Sequence, residues 1–424
     1  MAGIIILVLF YFTFPLLIIY LCKRWSFLKK LGSIVLAYAF GLLLGSIGIL
    51  PEGTDAYKLA LQSRAAIPQT EFQTLLSQGV ISSGDSIVNQ IGTVQDLIPS
   101  VVVPLAFPLL LFSLNLRRWL RFAKKGFISV VLALVAGLVM VSTGFFIFRD
   151  LIPESWKLAG LFVGIYTGGT PNFVALKMAL NVDTDLFVLL NTYDMIVGAG
   201  LVLFFVTLAP RIFRVILPSF NDLEINKTDT SHALEETEDF EDFAGMMQKK
   251  VLIPLLKAIG LSIIIFAAAG GLSFLLPGIP QMVVVILSIT TLGILASLFK
   301  SINRIEKTFQ FGMYLILVFS LVVASMANLR TMFRINQLNI ILFITWCYFG
   351  SLILHLILAK IFRIDSDNFL ITSAAFIFSP PFVPLVANAL KNKDVIVTGI
   401  TGGIIGYILG NYFGVLLAYF LKGF

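Results

Sequence analysis

The sequence predicts an all-α polytopic membrane protein of two inverted-topology repeats, each with about five transmembrane helices and one broken or re-entrant helical segment. Three observations carry that reading. Of the 424 residues, 58% are hydrophobic and only 12% charged, against about 25% charged in a soluble domain; mean hydropathy is +0.98. Apolar runs long enough to cross a bilayer recur from end to end. Two of those runs are interrupted in the same way, about 209 positions apart, by Thr170-Pro171-Asn172-Phe173-Val174 and Ser379-Pro380-Pro381-Phe382-Val383.

The apolar segments fall at 3–21, 31–50, 97–116, 126–149, 158–180 and 187–208, then at 251–276, 281–299, 308–329, 337–361, 368–390 and 394–421. The N-terminus has no basic n-region or cleavage site, so 3–21 is expected to remain as the first span. The intervening stretch holds Glu235, Glu236, Glu238, Asp239, Glu241 and Asp242, the composition of a solvated linker. The expected organisation is a first repeat over 1–208, a charged cytoplasmic linker over 209–250 and a second repeat over 251–424. Asn115-Leu116-Arg117 matches Asn328-Leu329-Arg330, and Asp185 matches Asp394, at offsets of about 209 to 213. Chance similarity between apolar stretches is the competing account.

Orientation follows from the basic loops. Lys23, Arg24, Lys29 and Lys30 place the first loop in the cytoplasm, as do Arg117, Arg118, Arg121, Lys124 and Lys125 after the third segment. Arg211, Arg214, Lys249 and Lys250 flank the linker, and Lys300, Arg304 and Lys307 mark another cytoplasmic loop. Simple alternation cannot satisfy all four. The conflict disappears if 158–180 enters from outside and returns, leaving the Asp183 and Asp185 loop external. By symmetry 368–390 then enters from the cytoplasm, with Lys391 and Lys393 inside. Arg330 and Arg334 are left outside, against the rule. About 23 residues is short for a hairpin, so a broken crossing helix is the alternative.

The interruptions are where chemistry is expected. A small hydroxyl residue before proline is the pattern of an N-cap and first helical position, so each run should end one helix and begin another at mid-membrane. Helix N-termini carry unpaired N–H groups and partial positive charge. Irregular backbone survives there only when it lines a cavity or is buried in protein. Candidate substrate-binding residues are Gly168, Gly169, Thr170 and Asn172 in the first break, and Ser379, Pro380 and Asn388 in the second. A plain helix kink is the bland alternative.

Asp194, inside 187–208, is expected to bind a coupling Na+ or proton, with Asn191, Thr192 and Thr401 supplying neutral oxygens. A purely structural pair with Lys177 competes with that reading. No acid in the second half matches Asp194. Gly399, Gly402, Gly403, Gly406 and Gly410 are expected mainly to allow close helix packing. His355 is a lone histidine, more often structural than a ligand. His232 lies in the linker, and Cys22 and Cys347 have no CxxC spacing. No cofactor or metal site is expected, and enzyme chemistry of the zinc or Ser-His kind has too little material. The net charge of +7 is spread over short loops, so no nucleic-acid partner is expected.

Two stretches carry a family resemblance: Gly399-Ile400-Thr401-Gly402-Gly403-Ile404-Ile405-Gly406-Tyr407-Ile408-Leu409-Gly410-Asn411-Tyr412-Phe413-Gly414 and Thr167-Gly168-Gly169-Thr170-Pro171-Asn172-Phe173-Val174-Ala175. In these the chain resembles the YjcL-like membrane proteins, an uncharacterised family, over most of its length apart from the linker. That family is grouped with the cation/proton antiporter and anion transporter superfamily. The grouping implies inverted repeats, a mobile transport domain and a scaffold or dimerisation domain, hence an elevator-type transporter fold and a homodimer. Segments three to six and nine to twelve would form the moving core, and the first, second, seventh and eighth the scaffold. Family members usually carry Gly-Gly-Pro in the second break; here Phe378-Ser379-Pro380-Pro381 stands instead.

The expected function is secondary active transport of a small anionic or zwitterionic organic solute across a bacterial inner membrane. The alternatives are a Na+/H+ antiporter without organic substrate and, in another class, a non-transporting receptor or assembly factor.

Overall fold

The computed structural model describes residues 2–25, 28, 32–61, 64–113, 124–220, 242–327 and 337–424. These residues are helical throughout, with no strand among them. In chain order the helices are α1 (Ala2–Arg24), α2 (Ser33–Ser46), α3 (Asp55–Leu61), α4 (Gln69–Ser77), α5 (Asp85–Phe112), α6 (Lys124–Phe148), α7 (Ser155–Leu180), α8 (Thr184–Thr207) and α9 (Ala209–Ile216). They continue as α10 (Lys249–Phe274), α11 (Gln281–Ser297), α12 (Lys300–Asn303), α13 (Thr308–Met326), α14 (Gln337–Ile361), α15 (Ser366–Phe378), α16 (Val383–Leu390) and α17 (Ile396–Leu421). Among the described residues, 8 helices are long and apolar enough to cross a membrane, and α2 and α11 are shorter apolar helices. The Asn115 and Asn328 tripeptides, Lys29, Lys30, Arg118, Arg121, Arg330, Arg334, His232 and the acidic run from Glu235 to Glu241 lie outside the described residues.

Two compact units emerge. The first comprises 1–106, 182–191 and 312–335. Its interior is pinned by a buried polar cluster: Gln95 Nε2 donates to the Tyr11 hydroxyl at 2.8 Å, and that hydroxyl lies 2.7 Å from Ser325 Oγ. Gly41 packs so closely on α13 that a methyl there would come within 2.7 Å of Ala324 Cβ. Between α2 and α5 sits a small polar module that the hydropathy pattern leaves unassigned. Tyr57, Ile67, Phe72 and Ile81 form its core. The Asp85 carboxylate accepts from the Thr54 and Ser82 amides at 2.8 and 2.9 Å and from both hydroxyls. Burial next to that carboxylate pushes the Tyr57 phenol up to about 12.

The second unit comprises 107–181, 192–311 and 336–424. The units divide the segments differently from the expected core and scaffold. Half of the third segment and most of the ninth fall with the first and second, and the seventh and eighth fall with the interrupted pair. The Tyr11–Gln95–Ser325 cluster, which ties α1, α5 and α13 together, is one physical reason. The start of the stretch expected to be linker is helix α9, and Asp242 at its far end pairs with Lys307 at 3.1 Å.

Both interrupted segments fold back on themselves. As one straight helix, α7 would be about 39 Å long, yet Lys157 Nζ near its start donates to the Asn181 carbonyl at its end at 3.1 Å. A methyl on Gly160 would lie 2.7 Å from Leu180 Cδ1, and one on Gly164 would lie 3.2 Å from the Asn172 carbonyl oxygen. The second segment closes likewise. Asn392 Nδ2 donates to Asp367 at 2.9 Å, and Arg214 on α9 donates to the Leu390 carbonyl at 2.8 Å and lies 3.4 Å from Asp367. Each is a helical hairpin.

Candidate functional site

The turn of each hairpin is made by one residue with positive φ. Gly169 sits at φ 60° and ψ −152°, and Ser379 at φ 73° and ψ 165°. Each hairpin also ends in a left-handed cap, Asn181 and Lys391, about twelve residues later. The equivalent positions are therefore about 210 apart, one more than the Thr-Pro and Ser-Pro matching suggested. Ser379 stands where the first hairpin has glycine, and Pro171 corresponds to Pro381. Ser379 occupies an N-cap position but makes no side-chain cap hydrogen bond, and a 3₁₀ turn over Pro380–Phe382 separates it from α16. The hydroxyl was expected to cap and does not: Pro380 and Pro381 carry no N–H, and the Phe382 N–H donates to the Ser379 carbonyl at 3.2 Å.

The two tips touch. A Cβ on Gly169 would overlap Ser379 Oγ. Helix α17 lies against both: Gly399 and Gly403 face Val383 and Pro380 of the second hairpin, and Gly406, Gly410 and Gly414 face Thr167, Asn172 and Leu176 of the first. Glycine is needed most at Gly406, where a methyl would run into the Thr167 carbonyl. That carbonyl has lost its helical partner, because Pro171 carries no N–H. Asn172 is buried (0% exposed), and its Nδ2 donates to the Gly406 carbonyl at 3.1 Å, while its Oδ1 has no partner among the described residues. A cavity of about 10 Å³, the room of roughly one water, is lined by Asn172, Pro171, Tyr407, Phe107, Leu110, Leu111 and Phe309.

Six of the seven expected substrate residues thus sit at the tips: Gly168, Gly169, Thr170 and Asn172 in one, Ser379 and Pro380 in the other. Asn388 does not join them. It is exposed on α16, one turn from the end of the hairpin. Phe107, Phe309 and Tyr407 were missed, because aromatic residues in apolar segments read as ordinary core.

Asp194 is half-buried on α8, and its carboxylate accepts a short hydrogen bond from the Tyr348 hydroxyl of α14. Tyr348 is buried and meets Phe162 edge-on at 4.9 Å. Nothing in the local sequence marks this tyrosine, which lies 154 positions away. Asn191 precedes Asp194 by three positions and so shares its helix face, whereas Thr192 does not. Thr401 is buried on α17 and spends its hydroxyl on the Val397 carbonyl at 2.7 Å. His355 is also buried, between Ser129 and Ser373 hydroxyls at 3.4 and 2.9 Å.

Comparison with known proteins places this site in a family context. The family described as Protein of unknown function (DUF819) matches residues 74–424. The chain belongs to the DUF819 family. The matched span takes in both hairpins, Asp194, Tyr348 and α17. The chain is also 23% identical over 345 residues to the Uncharacterized membrane protein YjcL of Bacillus subtilis (strain 168), covering 78% of this chain and 84% of that protein. Together with its long apolar helices, this makes the DUF819 chain a multi-pass helical membrane protein.

Proposed function

We propose that this protein is a secondary active transporter of a small anionic or zwitterionic organic solute, coupled to Na+ or H+, with alternating access around the two hairpin tips. The observation that carries the reading is the meeting of Gly169 and Ser379. Two broken segments bring irregular backbone and two helix starts to one point inside a membrane protein. Such backbone is tolerated at that depth where it is buried in protein or lines a cavity, paired breaks in two halves point to a transporter site, and helix starts favour a negative group. Asp194 holds the coupling cation in this reading, with Tyr348 orienting the carboxylate. The shared hairpin pattern supports two inverted repeats, 1–208 and 251–424; in this reading the protein is an elevator-type homodimer of the bacterial inner membrane. The residue chemistry supports no enzymatic role, cofactor or nucleic-acid partner.

The buried carboxylate also favours a second reading, Na+/H+ exchange without an organic solute. The deciding experiment is a ligand-stabilisation screen on purified protein with and without Na+, followed by uptake of each hit into proteoliposomes. Gradient-driven accumulation that is lost in Asp194→Asn and weakened in Thr170→Ala is the expected outcome. Ion exchange alone, with no solute accumulated, selects the antiporter. A protein inert in both assays, with Asp194→Asn and Thr170→Ala leaving the cellular phenotype untouched, selects the receptor or assembly class.

A further inference from the structure

Helix α9 presents three different faces. Ala209, Pro210 and Phe213 are buried, and the Phe213 ring lies 5.0 Å from Phe369 of the second hairpin. With 3.6 residues per turn, Leu208, Ile212, Val215 and Ile216 fall together on a second face. All four are exposed, Val215 at 87%. Arg211 and Arg214 share the third face and are also exposed. One packed face, one bare apolar face and one basic face are the pattern of a helix lying in a membrane surface.

The position of α9 agrees with that pattern. Only Leu208 separates it from α8, and α8 and α14 are both long and apolar enough to span. The second hairpin begins just after α14, and its base holds α9. The Ser366 amide donates to the Pro218 carbonyl at 3.0 Å, and Arg214 donates to the Leu390 carbonyl at 2.8 Å. The ends of two spans thus meet at one membrane boundary. Four more exposed cations stand at this base: Lys360 and Arg363, with exposed Ile361 and Phe362 between them, and Lys391 and Lys393. The acids here do little to neutralise them. Asp365 and Asp367 are buried and accept from the Asn368 amide and from Asn392, and Asp394 is half-buried. Only Arg214 approaches one, at 3.4 Å from Asp367.

We propose that α9 lies in the membrane interface and that Arg211, Lys360, Arg363, Lys391 and Lys393 bind the headgroups of anionic phospholipids, anchoring the base of the second hairpin. Basic clusters beside a span are drawn to anionic lipid. The bare apolar residues among them select a lipid over a free phosphate, because acyl chains cover Ile212, Val215 and Phe362 and a soluble anion does not. The hydrogen bonds from Arg214 and to Pro218 carry the anchoring from α9 to both ends of the hairpin. The inference stands apart from the transport reading.

The test is thermal unfolding of the purified full-length protein in detergent, titrated with phosphatidylglycerol, phosphatidylcholine or inorganic phosphate. Phosphatidylglycerol should raise the midpoint, the other two should not, and high salt should weaken the effect. The combined variant Arg211→Gln, Lys391→Gln and Lys393→Gln should need about tenfold more phosphatidylglycerol or beyond, and Lys391→Gln alone about fivefold more. The single variant keeps the test decisive if the combined one does not fold. Arg214 stays in place throughout, so the hairpin base keeps its hydrogen bonds. A spin label on Val215→Cys, with Cys22→Ser and Cys347→Ser, reads the apolar face in bilayers containing phosphatidylglycerol. It should be more accessible to oxygen than to a water-soluble nickel chelate. Equal stabilisation by phosphatidylcholine or by phosphate overturns the anionic-lipid site, as does a wild-type lipid response in the variants. A label that the nickel chelate reaches first overturns the interfacial helix. Disulfide formation between two copies through Val215→Cys also overturns it, by assigning that face to a second copy.

Discussion

At Ser379 the backbone adopts φ 73° and ψ 165°, a region that glycine occupies freely and other residues only under strain. Its side chain lies against Gly169 in the opposite tip. Both Ser379→Gly and Ser379→Ala lose the hydroxyl's hydrogen bond to Tyr407, so relief of strain should make Ser379→Gly more stable than Ser379→Ala by about 1 kcal/mol, read as a higher unfolding midpoint in detergent. Ser379→Ala keeps the strain, and equal midpoints for the two variants would remove the strain argument. A different residue-scale case is the Asp194–Tyr348 pair. Tyr348→Phe removes the donor to a carboxylate inside the membrane protein, at about 1–3 kcal/mol. Adding Asp194→Asn to that variant should return part of the stability, since the uncompensated charge is gone, but should not return gradient-driven uptake. Uptake recovered in the double variant would show that the carboxylate is structural.

Among the elements, α17 organises the site, because its glycine face admits both hairpins at backbone distance. Gly406→Ala should cost about 1–3 kcal/mol by overpacking, since the atom in the way is the Thr167 backbone carbonyl rather than a flexible side-chain end. Gly260 on α10 has open space beside it. Gly260→Ala should be neutral or stabilising by up to about 1 kcal/mol from helix propensity. Thermal unfolding of the two variants side by side checks the contrast, and equal effects would refute the packing role. The glycine spacing was legible in the sequence as a close-packing face. Which hairpin each glycine meets was not, because helical periodicity names a face without naming its partner.

For the whole molecule, the hairpins set a topology that labelling can read. In a background with Cys22→Ser and Cys347→Ser, Glu154→Cys and Asn181→Cys flank the first hairpin and should both react from the external side. Arg363→Cys and Lys391→Cys flank the second and should both react from the cytoplasm. Opposite-side labelling within either pair would refute re-entry, and same-side labelling of all four would refute inverted repeats. The sequence by itself determined the helical membrane class, the number of apolar segments and the two break points. Those depend on local chemistry: hydropathy, the missing N–H of proline and the freedom of glycine. Only the tertiary structure decided that each broken segment folds back, that Gly169 rather than Thr170 answers Ser379, that Tyr348 holds Asp194, and that Asn388 stands apart from the tips. It alone brought Phe107, Phe309 and Tyr407 around Asn172. These meetings join residues far apart in the chain, and their geometry comes from how helices pack rather than from the composition of any one of them.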